Sequence, residues 1–311
     1  MRIRATVAAV SGALAVSALA VPAAQAAGGH PHAGADLLKA VHAAESARTA
    51  HGDSALTATK RDQGEPYEMD ATFSNVKVNS GKPIVAGVLN KVSVPVTFTL
   101  THTADVDVNS SDFMTAVDIY RQTVDDGNVL FGDDVAACKA TSATVASCKG
   151  TIDIEPSFEL MNTDAATWTA EGVAVDWNGE DPESRDIDWN NVGVAFQDKL
   201  GTTKLQRYSR LTVNAAPEPV KKGATLTATG YLSRANWDDG KYHGYTSQSV
   251  KLQFRKKGSS TYTTLKTVKS DSKGNLKTTV KATVDGYYRY SFAGTSTTPA
   301  VNATGDYVDV K

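Results

Sequence analysis

Between Val92 and Leu100 apolar and polar side chains alternate without a break: Val92, Val94, Val96, Phe98 and Leu100 are separated by Ser93, Pro95, Thr97 and Thr99. In an extended chain a period of two sends one set to each side, so the segment predicts a strand with one buried and one wet face. Pro95 has no amide to give to a ladder, which points to a sheet edge or a bulge. Shorter runs follow the same rule at Phe73–Val78, Ala116–Tyr120, Thr151–Ile154, Thr167–Trp177, Val192–Phe196 and Leu205–Val213. Turn-forming clusters such as Asp125-Asp-Gly-Asn128 and Asn178-Gly179 separate them. Many short strands with no sustained helical period predict an all-β sandwich over residues 68–213.

Asn214-Ala-Ala-Pro-Glu-Pro219 interrupts the alternation, and its two prolines predict a stiff linker over 214–219. A second series then begins: Leu226, Ala228 and Leu232; Val250, Leu252 and Phe254; Leu265 and Val268; Leu276 and Val280; Tyr288, Tyr290 and Phe292; Val308 and Val310. The turn Asp271-Ser-Lys-Gly-Asn275 predicts a hairpin between two of these strands. The rhythm predicts an immunoglobulin-like sandwich over 220–311. The expected fold class is therefore all-β, with two β-sandwich modules.

The stretch Gly286-Tyr-Tyr-Arg-Tyr-Ser-Phe-Ala-Gly294, with Ser249-Val-Lys-Leu-Gln-Phe254 before it and Tyr307-Val-Asp-Val310 after it, resembles the late strands of bacterial immunoglobulin-like modules. The chain as a whole is similar to a group of uncharacterised actinobacterial secreted proteins, some loosely labelled calcium-binding. The resemblance implies the two-module architecture and carries no established activity.

Ahead of the modules the pattern changes. Met1-Arg-Ile-Arg4, the apolar run Ala5–Val21 and Ala24-Gln25-Ala26 predict a secretory signal peptide over 1–26. The run is short and rich in small residues for a membrane span. The mature chain is thus expected to be secreted and extracellular, with no membrane span after cleavage. Residues 27–67 hold few large apolar side chains and are expected to form a flexible leader, with one short helix near Ala35–Arg48 in which Leu37, Leu38 and Val41 share a face. In an oxidising compartment Cys138 and Cys148, with no further cysteine nearby, predict a disulfide closing a loop or hairpin.

Catalytic patterns are missing. His30, His32, His42 and His51 fall in the leader, and His102 and His243 lie in separate modules. Neither His-Glu-x-x-His nor Gly-x-Ser-x-Gly occurs, so the expectation is a protein that is not an enzyme. The one cofactor with a candidate ligand set is calcium: Asp176, Asn178, Glu180, Asp181, Asp186 and Asp188 crowd hard oxygens into one loop. Asp105, Asp107, Asn109 and Asp112 alternate like an EF-hand loop, but Ser110 and Ala116 stand where that loop needs Gly and Glu.

Charge divides the chain. Residues 27–216 carry 15 Lys and Arg against 27 Asp and Glu, a net of −12, while residues 217–311 carry 15 against 7, a net of +8. In the basic module Lys251, Arg255 and Lys257 are expected on one outward strand face and Lys277 and Lys281 on another. Tyr245, Tyr262 and Tyr287 are candidates for sugar stacking, and Trp237 for an exposed contact. The leading reading is a non-catalytic binding or cell-surface-associated protein. The alternatives are an extracellular calcium-binding protein, a glycan-active hydrolase with two carboxylates, and a protease inhibitor offering the Cys138–Cys148 loop as bait. Expected partners are an anionic cell-wall polymer, a glycan or another protein. Nucleic acid is disfavoured, and a monomer is expected.

Overall fold

The computed structural model describes residues 36, 37, 40, 64–122 and 128–311. The expected signal peptide, most of the leader and the core of the Asp125–Asn128 turn lie outside the described residues. The strands of the first series are β1 (Tyr67–Glu68), β2 (Ala71–Val78), β3 (Ile84–Ala86), β4 (Val92–His102), β5 (Phe113–Arg121), β6 (Asn128–Leu130), β7 (Ala137–Ser142), β8 (Val145–Ile154), β9 (Thr167–Asp176) and β10 (Gly193–Arg207). Those of the second are β11 (Ser209–Leu211), β12 (Asn214–Ala216), β13 (Thr225–Asn236), β14 (Lys241–Gly244), β15 (Ser249–Lys256), β16 (Thr263–Lys269), β17 (Asn275–Lys281), β18 (Gly286–Phe292), β19 (Val301–Asn302) and β20 (Asp306–Val308). The described residues divide into two compact units: those up to Ser80, with those of Pro95–Asp153 and Thr169–Gly201, form the first, and Gly81–Val94, Ile154–Trp168 and Thr202–Lys311 the second.

In the first unit one sheet runs β2-β4-β8-β7, and the other contains β1, β10, β9, β5 and β6 in that order. The alternation of β4 is realised: Val94, Val96, Phe98 and Leu100 are buried and Ser93, Pro95 and Thr97 are exposed. The strand is nonetheless interior, lying between β2 and β8, which corrects the edge position expected from Pro95. Pairing with β2 ends at Val78 opposite Val96, so Pro95 sits beyond the last partner on that side and interrupts no bond to β2.

β5 departs from simple alternation, because Phe113 to Tyr120 are all buried. Gly172, opposite Val117, faces the other sheet so closely that a Cβ there would come within 2.7 Å of the Phe73 ring. Met114, Ala116, Asp118 and Tyr120 therefore face away from that sheet. Met114 and Ala116 join Val173, Val175, Trp177, Val192 and Val194 in a second apolar cluster. Leu37 and Ala40, in the segment expected to be a flexible leader, are fully buried in it.

In the second unit one sheet is built on β13, which pairs with β11, β12, β14 and β17, and the other contains β16, β15, β18 and β19, with β20 on β18. Leu226, Leu232, Val250, Leu252, Leu276, Tyr288, Tyr290 and Phe292 fill the space between them, and the buried Tyr290 hydroxyl donates to the Ala228 carbonyl at 3.0 Å. The Asp271–Asn275 turn forms as expected, with Asp271 Oδ1 accepting the Lys273 and Asn275 amides at 2.8 Å and Gly274 at a φ of 88°. It does not close a hairpin: β16 pairs with β15 and β17 with β13, so the turn carries the chain from one sheet to the other. Within the expected linker, Asn214–Ala216 forms β12, with Ala215 fully buried opposite Ala228.

Candidate ligand-binding face

Along β15 Val250 and Leu252 point into the core, and Lys251, Gln253 and Arg255 point out. Antiparallel pairing sets Ser291, Arg289 and Tyr287 of β18 opposite those three, and Tyr307 of β20 opposite Tyr287. Residues directly opposite in a ladder share a face. The outer side of this sheet thus collects Arg255, Arg289, Tyr287 and Tyr307, with Lys257 just past the end of β15 and Tyr262 just before β16.

The groups interleave. The Arg255 Cζ lies 4.1 Å from the Tyr287 ring centre and 5.3 Å from that of Tyr262. The Arg289 Cζ lies 3.8 Å from the Tyr262 centre. Tyr287 and Tyr307 have ring centres 5.2 Å apart, and the Lys257 Nζ is 5.5 Å from the Tyr307 ring. Hydrogen bonds fix the arginines: Arg289 Nε donates to Gln253 Oε1 at 2.9 Å, and Arg255 Nη1 donates to the Ser259 carbonyl. Gly305 leaves room for Tyr262, since a Cβ at that position would lie 2.3 Å from the tyrosine hydroxyl and displace it.

Beside Lys257 the face runs into a concavity of about 440 Å³ lined by Lys222, Lys256, Lys257, Asp285, Val310 and Lys311. Asp285 is its counter-charge. The Val310 amide, donating at 2.9 Å, holds that carboxyl below its ordinary value, with Lys257 at 3.7 Å adding to the effect. The Tyr307 hydroxyl and Asp285 in turn hold the Lys257 ammonium above its own ordinary value.

Of the basic residues singled out from sequence, Lys251, Arg255 and Lys257 share this face. Lys277 and Lys281 sit on β17 in the other sheet, where Lys281 Nζ donates to Thr225 Oγ1 at 3.0 Å. Trp237 is corrected from an exposed contact to a core residue: it is 3% exposed, and its Nε1 donates to the Gly87 carbonyl at 2.7 Å. Its polar neighbours Asn236 and Asp238 suggested exposure, but both accept from the Asn162 side chain while the indole between them turns inward. Tyr245 packs edge-on against Phe292 beneath the Arg234 guanidinium, away from the face. Arg289, Tyr307 and Gln253 were not singled out, because only the β15–β18–β20 register reveals them.

The acidic loop uses its oxygens internally. Asp176 accepts the Asn178 amide, Asp181 that of Glu183, Glu180 that of Asp188, and Asp188 that of Asn190. Asn178 Nδ2 donates to Tyr67 and to the Asn191 carbonyl, and the Asp186 amide donates to Ser184 Oγ. The EF-hand-like loop comes alongside, for Asp112 Oδ2 accepts the Gly179 amide at 2.9 Å. Burial raises the Asp176 carboxyl above its ordinary value, with Asp112 and Asp107 adding repulsion. Among the described residues, no group of three or more His, Cys, Asp or Glu is placed to hold a metal ion.

Cys138 and Cys148 form a disulfide at directly opposed positions of β7 and β8, so the stapled segment is an exposed two-stranded hairpin with a register irregularity between Ala140 and Ser142. His102 Nδ1 meets the Thr103 carbonyl, and His243 Nε2 meets Asp239 Oδ2 at 2.6 Å. Asp118 and Glu171 stand opposite one another but are 2% and 3% exposed, buried instead of lining a cleft.

No protein-family model and no curated protein matches the chain. Among solved structures it is similar to dimeric latent PorU from Porphyromonas gingivalis, at 11% identity over 78% of this chain with a TM-score of 0.25, and it spans only 20% of that chain's length. It is also similar to fibronectin(III)-like modules of Clostridium thermocellum CbhA, at 14% identity over 76% of this chain and 92% of that one with a TM-score of 0.26. A third is the Ig1–Ig3 ectodomain of mouse nectin-like molecule 4, at 12% identity over 78% and 65% with a TM-score of 0.22. Likeness at this level carries no argument about this chain, whose fold is given by its own sheets. The chain is an all-β protein of sandwich modules, and no helix among the described residues is long and apolar enough to cross a membrane.

Proposed function

We propose that the protein is secreted after loss of residues 1–26 and acts as a non-catalytic, monomeric binding protein. It holds a polymer of the cell wall or cell surface through the outer face of the β15–β18–β20 sheet. The observation that carries this reading is the convergence on one sheet face of Arg255, Arg289, Lys257, Tyr262, Tyr287 and Tyr307 from separate strands and loops. Half-buried guanidiniums and aromatic rings beside the exposed Lys257, gathered on a rigid sheet, suit recognition, and a sandwich supplies that rigidity. The disulfide fits an oxidising, extracellular compartment.

The test is co-sedimentation of the mature chain with purified cell walls at low and high salt. The wild type is expected to pellet at low salt. Arg255→Ala/Arg289→Ala is expected to lower the bound fraction roughly tenfold with its melting temperature unchanged, as hot-spot truncations do. Lys277→Ala/Lys281→Ala, on the other sheet, is the charge-matched control and is expected to bind as the wild type does. Equal losses in the two double variants would remove the face from the account.

A further inference from the structure

We infer that this face reads the carboxylates of an acidic polysaccharide through its guanidinium edges, and not neutral sugars through its rings; the inference rests on the binding function just proposed and names the ligand class of the same site. A tyrosine that stacks on a sugar needs a bare ring face. Here each ring already has a neighbour against it: two guanidiniums at Tyr262, one guanidinium and a ring at Tyr287, a ring and an ammonium at Tyr307. The tyrosines therefore act on the arginines. Stacking fixes the guanidinium plane and leaves the donors along its edge available, which is how arginine pairs with planar oxyanions in two parallel hydrogen bonds.

Each arginine commits a donor within the protein, Arg289 Nε to Gln253 and Arg255 Nη1 to the Ser259 carbonyl, and these bonds set the direction of the remaining edge. An arginine ordered in advance loses less entropy on binding. The two guanidiniums approach the same Tyr262 ring, so they are closely set and suited to acidic groups repeated along one chain. Gln253 Nε2 and the Tyr262 and Tyr287 hydroxyls add neutral polar groups of the kind that pair with sugar hydroxyls. Single-stranded nucleic acid would need rings open to its bases, and each ring here already has a guanidinium, an ammonium or another ring against it.

Titration calorimetry of the full mature chain tests this with polygalacturonate, poly(glycerol phosphate), neutral dextran and single-stranded DNA. Expected is salt-sensitive binding to polygalacturonate and none to dextran. Arg255→Lys/Arg289→Lys keeps both charges but loses the fork, and is expected to bind polygalacturonate about fivefold more weakly, with Tm unchanged. Affinity of that variant equal to the wild type would reduce the face to plain charge and overturn the inference. Preference for dextran, for the phosphate polymer or for DNA would also overturn it while leaving a binding function standing. A protein that takes up none of the four and does not pellet with cell walls loses both proposals.

Discussion

Asp118 is where burial and ionisation conflict most sharply. It is 2% exposed, its Oδ1 accepts no hydrogen bond among the described residues, and desolvation pushes its carboxyl up to about 7. Glu171 lies directly opposite, and Tyr120 on the same face donates to Asp198 at 2.6 Å, a bond that raises the phenol to about 12. An acid whose native value exceeds its unfolded 3.8 binds its proton more tightly in the folded state. Stability is then full below 3.8 and falls as pH rises from there to about 7. Asp118→Asn removes the charge without changing the shape. The variant is expected to match the wild type near pH 4 and to exceed it at pH 8 by on the order of 2–4 kcal/mol, measured by urea denaturation across that range. Parallel curves at both pH values would show that Asp118 stays ionised at little cost. The run Ala116–Tyr120 is legible in the sequence as a strand, yet the burial of Asp118 is not. Period-two reasoning treats a polar position as wet, and only the covering of the second face, to which Leu37 and Ala40 contribute, makes it dry.

Among the elements, β7 shows how a weakly packed strand is retained. All its residues except Cys138 are exposed, so little apolar burial holds it to β8, whereas Ala146, Cys148 and Ile152 on β8 are buried. The disulfide joins the two strands at facing positions. Closing a loop this short stabilises by about 2–3 kcal/mol through the unfolded chain. Cys138→Ser/Cys148→Ser is expected to lower the first unit's stability by that amount. Amide exchange in Lys139–Ser142 is expected to accelerate more than in Phe98 and Leu100 of interior β4. Unchanged exchange in β7 would assign its retention to the ladder alone. Spacing and compartment made the bridge legible, because a pair of cysteines has only one connectivity. The sheet assignment of β16 and β17 was not: Asp271–Asn275 encodes a reversal of direction, and whether the next strand pairs with the previous one or crosses the sandwich depends on residues distant in sequence. The candidate face divides in the same way, with Lys251, Arg255 and Lys257 readable from one strand's alternation and Arg289 and Tyr307 reached only through pairing.

At the scale of the whole molecule, the second unit takes in segments well ahead of Asn214. Gly87 accepts the Trp237 indole, Asn162 bonds the backbone of Trp237 and the side chains of Asn236 and Asp238, and Arg207 Nε donates to the Ala235 carbonyl. Gln206 Nε2 reaches the Thr295 and Ser296 carbonyls. These contacts cover one end of β13 and bury an indole that is the only tryptophan after Asn214. A fragment of residues 214–311 keeps the central apolar cluster and should fold, because both sheets lie almost wholly within it. It leaves Trp237 without its cover and the Ala235 carbonyl without its donor. Tryptophan emission in the fragment is therefore expected to shift to longer wavelength than that of Trp237 in a full chain whose other three tryptophans are Phe. Its melting temperature should fall below that of the second unit in the intact protein. Trp237→Ala in the full chain removes the same packing from the other side and is expected to cost about 3–5 kcal/mol, as large-to-small core changes do. The two perturbations should not add, since each removes what the other depends on. A fragment with short-wavelength emission and an undiminished melting temperature would mean that Gly81–Val94 and Ile154–Trp168 rest on the sandwich without stabilising it.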